Sequence, residues 1–149
     1  MTLTASDIRT IQAQADCLHD AAAVQQALDR MAAAIKDDLA DTLPVVLCVL
    51  NGGIIPTGHL LTRLQFPLEI GYLHATRYRG ETSGADLHWL CEPQIDLQGR
   101  SVLVIDDILD EGHTLTNILA YCRDAGVAQV RTAVLVQKLH DRLAADIRA

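Results

Sequence analysis

Three short apolar runs, at residues 44–50 (PVVLCVL), 101–106 (SVLVID) and 130–136 (VRTAVLV), constrain this chain more than any other feature. Each is rich in Val, Leu and Ile, and the first two hardly alternate with polar residues. That pattern suits strands buried on both faces, as in a parallel sheet whose crossovers lay helices on either side. The intervening stretches carry the helical period. Ile8, Ile11, Ala15 and Leu18, then Val24, Leu28, Met31, Ile35 and Leu39 recur at three- and four-residue steps, which predicts two helices broken near His19 and Asp20. Residues 54–64, with Pro56 tolerated in the first turn, and 114–123, closed by Gly126, predict two more. Residues 68–78 and 87–91 predict two strands joined as a hairpin by the polar stretch RGETSGAD. The expected fold is therefore α/β, an open, mostly parallel sheet flanked by helices, with one antiparallel hairpin. At 149 residues, without repeat or linker, the chain is expected to form a single domain over 1–149.

Composition narrows the function. Half the residues are hydrophobic but only 3% are aromatic, so little ring surface is left for stacking bases. Nineteen acidic against 12 basic side chains give a net charge of -7, a field that repels phosphate backbones, so nucleic acid is not an expected partner. No apolar stretch reaches membrane-spanning length and the N-terminus lacks the pattern of an export signal, so a membrane is not expected either. Cys17, Cys48, Cys91 and Cys122 are widely spaced, as reduced core thiols of a cytoplasmic protein would be.

The second apolar run ends in an acidic cluster, VLVIDDILDEGHTL. Side chains alternate along a strand, so Asp106 and Asp107 cannot both be buried; one or both must meet solvent, a hydroxyl-bearing ligand or a cation. Adjacent carboxylates are good acceptors for vicinal hydroxyls. Asp110 lies beyond the turn and could reach the same ligand from another side as proton donor or acceptor. Glu111, Gly112, His113 and Thr114 open the next helix, where free N–H groups and a hydroxyl suit a phosphate. Two other readings of the acids are helix capping and a receiver-type phosphoacceptor pocket. In a receiver, however, the acidic pair lies early in the chain, and the following turn needs no phosphate cradle. Asn51 and Gly52, after the first run, read as an ordinary turn in isolation, but on the same sheet edge they could turn backbone N–H groups toward a diphosphate.

The segment VLVIDDILDEGHTL resembles the phosphoribosyl-pyrophosphate motif of the type I phosphoribosyltransferases: an apolar strand, two acids, two apolar residues, then D-x-G-x-T. LNGGIIPTGHLL resembles that family's diphosphate loop, ATRYRGETSG its flexible catalytic loop, and KLHDR the base-binding segment of the purine branch, nearest the hypoxanthine-guanine type of bacteria. The resemblance implies that Asp106 and Asp107 hold the ribose hydroxyls and, with water, a Mg²⁺ ion, while Glu111, Gly112, His113 and Thr114 cradle the 5-phosphate. It implies that Asn51 and Gly52 face the diphosphate through an unusual peptide geometry, although some relatives carry Lys at the position of Asn51. It places Tyr78 and Ser83 in a lid that excludes water, Asp110 at purine N7 as the catalytic group, and Lys138 on the exocyclic oxygen of a 6-oxopurine. The implied reaction joins phosphoribosyl pyrophosphate and hypoxanthine or guanine into IMP or GMP, in a homo-oligomer, dimer or tetramer. His59, His74, His88 and His140 show no ligand spacing. One departure stands out: LAADIRA occupies the place where relatives continue into a hood that stacks an aromatic ring on the purine, so the hood is expected to be shortened. Phe66 and Trp89 come too early in the chain to replace it. A non-catalytic sensor of the same donor or nucleotide is the alternative this departure raises.

Overall fold

The computed structural model describes residues 2–77 and 87–143. Its elements follow in the order α1 (Ala5–Gln14), α2 (Ala21–Leu39), β1 (Val45–Val49), α3 (Ile54–Leu61), β2 (Glu69–Arg77), β3 (Leu87–Cys91), β4 (Ser101–Leu109), α4 (His113–Asp124) and β5 (Gln129–Gln137). The strands form one five-stranded sheet in the order β3-β2-β1-β4-β5. β1 pairs in parallel with β2 and β4, and β4 with β5, while β2 and β3 form the antiparallel hairpin. The expected open sheet is present, and its chain direction reverses sideways between β1 and β4. In such sheets that point leaves a crevice at the carboxyl ends of the strands.

The unbroken apolar runs are explained by two cores, one on each face of the sheet. Val45, Leu47, Val49, Val102 and Val104 face α4, where Leu115, Ile118, Leu119 and Cys122 meet them. Val46, Leu103 and Ile105 face the other way, toward Leu28, Ala32, Ile35 and Leu39 of α2 and Leu60 of α3. All five residues of β1 are buried, so neither parity could be polar. Each large aliphatic side chain removed from water contributes about 1.5–3 kcal/mol, which fixes the register of the two central strands. Trp89 packs against Tyr121 with ring centroids 4.7 Å apart, and Phe66 packs against the α2 side; both are partly buried at the edge of a core.

Three boundaries differ from expectation. β4 does not stop at Asp106: it continues to Leu109, because β5 goes on pairing with it through Asp106↔Val134, Ile108↔Val136 and Leu109↔Gln137. α3 ends at Leu61, short of Leu64. α1 has the anticipated apolar spacing, but Ala15 and Leu18 fall beyond its end and none of its residues is buried. Its capping box, Thr4 with Asp7, defines the start, so local hydrogen bonds and not packing set this helix. Residues 78–86, where the hairpin tip is expected, and 144–149, all but the first residue of the segment in place of a hood, lie outside the described residues. No described helix is long and apolar enough to cross a membrane.

Candidate active site

A cavity of about 360 Å³ opens at the carboxyl edge of the sheet, between β1 and β4. Its wall runs from Val49, Leu50 and Gly52 across Ala75 of β2 to the continuous segment from Asp106 through Leu115. Eight of the residues expected to act together, Gly52, Asp106, Asp107, Asp110, Glu111, Gly112, His113 and Thr114, line it. Its size is in the range of small-molecule sites.

The β1–α3 loop is shaped by backbone contacts. The Leu50–Asn51 peptide is cis, in line with the unusual peptide geometry that the resemblance implies. Leu50 donates its N–H to the Leu73 carbonyl at 2.8 Å, and Gly53 donates to Val49 at 2.8 Å to begin α3. The paired glycines have separate reasons. A Cβ on Gly52 would overlap the Asp107 carboxylate, and one on Gly53 would lie 2.7 Å from the Ile105 carbonyl. The loop therefore rests directly on β4, with the Asp107 carboxylate pressed against Gly52. Asn51 itself is exposed and stands outside the cavity wall. Gly53 and Leu50 were not singled out from the sequence, where the second glycine looks like turn filler.

Asp106 and Asp107 are both half-buried, so neither faces away from the crevice as simple strand alternation would have it. Asp107 donates its N–H to Asp106 Oδ1 at 2.9 Å. Burial pushes the Asp106 carboxyl up to about 7; the Asp107 N–H opposes this, and the neighbouring Asp107 carboxylate adds to it. At neutral pH the pair is thus short of positive charge. Among the described residues no three His, Cys, Asp or Glu side chains converge as a metal site. Two crowded carboxylates alone still fit a hard cation that takes its other ligands from water and a bound phosphate ester.

β4 hands over to α4 through Gly112, which sits in the left-handed region at φ 85° and caps the helix without a side chain. This lets His113 begin the helix one residue earlier than expected, and the helix N-terminus, Gly112 to Thr114, lines the same cavity as the aspartate pair. Thr116 braces the turn by donating its hydroxyl to the Gly112 carbonyl at 2.9 Å.

Asp110 is not free within the cavity. Lys138 donates to its Oδ2 at 2.7 Å and His140 meets its Oδ1 at 2.8 Å. Hydrogen bonds from Lys138 first and His140 second hold this carboxyl below the usual carboxylate range. Arg142 extends the contact, its guanidinium 3.5 Å from Glu111, and Glu111 also lies 3.7 Å from His113. Lys138 therefore turns toward the acidic loop and is not among the cavity's lining residues. His140 and Arg142 were not anticipated individually; only geometry brings them to Asp110 and Glu111. Tyr78 and Ser83 lie outside the described residues.

Fold and crevice together define an open α/β protein with a ligand-sized, acid-rimmed cavity at its strand ends. The chain belongs to the phosphoribosyltransferase family: the family model for the phosphoribosyl transferase domain matches residues 14–149. It is 30% identical over 124 residues to a hypoxanthine-guanine-xanthine phosphoribosyltransferase of Tritrichomonas foetus, covering 83% of this chain and 68% of that one. It is 25% identical over 127 residues to the hypoxanthine-guanine phosphoribosyltransferase of Bacillus subtilis, covering 85% and 70%. In structure it is similar to a hypoxanthine phosphoribosyltransferase of Staphylococcus aureus, with a TM-score of 0.86 at 22% identity, over 95% of this chain and 77% of that one.

Proposed function

We propose that this protein is a purine salvage phosphoribosyltransferase, which moves the phosphoribosyl group of phosphoribosyl pyrophosphate to N9 of hypoxanthine or guanine and releases pyrophosphate. The observation that carries this reading is one cavity lined by both the Asp106–Asp107 pair and the Gly112 helix start. A ribose with a 5-phosphate carries both vicinal hydroxyls and an anionic group, the two chemistries these residues suit. Asp106 and Asp107 take the hydroxyls; Glu111, Gly112, His113 and Thr114 surround the phosphate, with backbone N–H groups as donors. Asn51 and Gly52 border the diphosphate through the loop backbone, and Tyr78 and Ser83 belong to the lid.

Asp106 and Asp107 are also the residues that would hold Mg²⁺, and the raised Asp106 carboxyl, crowded by Asp107, is in keeping with that role. When bound, Mg²⁺ supplies charge neutralisation to the departing pyrophosphate. The chain's own groups do the rest. As the C1–oxygen bond breaks, its electron pair leaves with pyrophosphate and positive charge builds on the sugar, where the aspartates lie close enough to stabilise it. The base forms its N9–C1 bond and loses the N7 proton, for which the Asp110 carboxylate is the acceptor. Lys138 then donates to the exocyclic oxygen, which a 6-amino purine cannot accept.

The relatives named above are transferases, so a sensor without turnover is not favoured. A homo-oligomer, dimer or tetramer, and a cytoplasmic setting belong to the same proposal. The unpaired cysteines and the exposed Ile8 and Ile11 of α1 are in keeping with them. The test is incubation with phosphoribosyl pyrophosphate, Mg²⁺ and each purine base in turn. IMP or GMP should form with hypoxanthine or guanine and not with adenine; no nucleotide from any base would reject the transferase.

A further inference from the structure

We infer that His140 is a positioning residue for Asp110: it is the fixed arm of a two-armed clasp whose other arm, Lys138, leaves when the base arrives, so that one carboxylate oxygen is released toward the base and the other is not. This rests on the transferase reading above, and extends it to a residue whose spacing carries no signal in the sequence.

The two arms differ in kind. His140 accepts the Arg142 backbone N–H on Nδ1 at 3.1 Å, and a nitrogen that accepts carries no proton. The neutral ring must then carry its hydrogen on Nε2, the atom 2.8 Å from Asp110 Oδ1, so it donates there. One backbone bond thus sets both the tautomer and the direction of the ring. The His140 side chain is 15% exposed, against 52% for Lys138. Lys138 holds Asp110 Oδ2 at 2.7 Å from the end of a flexible four-carbon stem, in solvent, where such pairs are worth about 0–1 kcal/mol. Little is lost when Lys138 swings to a base carbonyl. His140 has no comparable freedom, because turning its ring would break the Arg142 bond as well.

The consequence is a division of labour between the two oxygens of Asp110. With Lys138 in place both are occupied and the carboxylate is a poor proton acceptor. A 6-oxopurine offers Lys138 another acceptor, and its departure bares Oδ2 while His140 keeps Oδ1 anchored and the carboxylate plane in place. A 6-amino purine makes no such offer, so the proton acceptor stays covered. Beside the clasp, Glu111 lies 3.5 Å from the Arg142 guanidinium and 3.7 Å from the His113 ring.

Two measurements on the full chain test this. In ¹⁵N spectra of the unliganded wild type, His140 should sit in the Nε2–H tautomer near neutral pH and keep it in Asp110→Ala, where the Arg142 backbone bond remains, while its Nε2–H resonance shifts as the carboxylate partner is lost; a Nδ1–H ring, or a Nε2–H resonance indifferent to Asp110, overturns the anchor. In turnover with saturating phosphoribosyl pyrophosphate, His140→Leu should lower kcat for hypoxanthine about tenfold with KM for the donor unchanged, and His140→Gln, whose amide can reach the same oxygen, should recover to within about threefold of wild type. Equal rates in Leu and wild type, or no recovery in Gln, overturn the role. A wild type that makes no nucleotide rejects the transferase reading instead, and the tautomer still decides the anchor.

Discussion

The two sides of the cavity are built differently. Where the donor is proposed to sit, the β1–α3 loop, the end of β4 and the start of α4 are fixed by backbone: Gly52 and Gly53 seat the loop on β4, and Gly112 turns the chain into the helix. Where the base is proposed to sit, shape is held mainly by side chains, Lys138 and His140 on Asp110 and Arg142 beside Glu111, with Lys138 and Arg142 largely exposed. A backbone-built site is pre-organised, so a ligand pays little ordering cost there. A site held by exposed ion pairs is one in which partners can be exchanged. Under the proposed function the donor side is thus a template and the base side a set of contacts that the base would replace.

The contrast is open to mutation. Gly52→Val should have the largest effect: its side chain would displace the Asp107 carboxylate, lowering kcat/KM by about 10³-fold or more and weakening donor binding in calorimetry. Donor binding at wild-type strength in that variant would mean that the loop is not a template. Asp110→Asn should cut kcat about 10²- to 10⁴-fold while the donor still binds, since only the proton acceptor is lost. Lys138→Ala should act more mildly, raising KM for hypoxanthine about tenfold and narrowing the preference over adenine; an unchanged preference would remove Lys138 from base selection.

The smallest effect concerns stability. Asp106 has its carboxyl raised in the fold, so between its unfolded value and about 7 the native state binds the extra proton, and unfolding free energy falls as pH rises through that window. Asp106→Asn should remove this dependence and stabilise the unliganded protein by about 1–3 kcal/mol at pH 8, seen as a higher melting temperature. A melting temperature that drops would show the carboxylate to be paired already.

The sequence exposed the template side better than the exchangeable one, for a physical reason. Strands β1 and β4 are buried on both faces, and that leaves unbroken Val and Leu runs that nothing else explains. The acids and glycine that follow β4 are contiguous, so their joint use is visible along the chain. The length of β4 was not, because Asp106 and Asp107 interrupt the apolar pattern while the backbone goes on pairing with β5. The double glycine reads as a turn until the Asp107 carboxylate and the Ile105 carbonyl are placed against it. Nor could the clasp be seen: Lys138 and His140 meet Asp110 across 28 and 30 residues, with no local period to join them. In α1 the spacing of Ile8 and Ile11 is real, yet both stay exposed, so periodicity marked a helix and not its burial.

The most direct test is a crystal structure with phosphoribosyl pyrophosphate and Mg²⁺ bound. The ribose hydroxyls should lie on Asp106 and Asp107 and the 5-phosphate on the N–H groups following Gly112, with the diphosphate alongside Gly52. A donor bound elsewhere, or one whose phosphate and hydroxyl ends are not shared between those two places, would contradict the account.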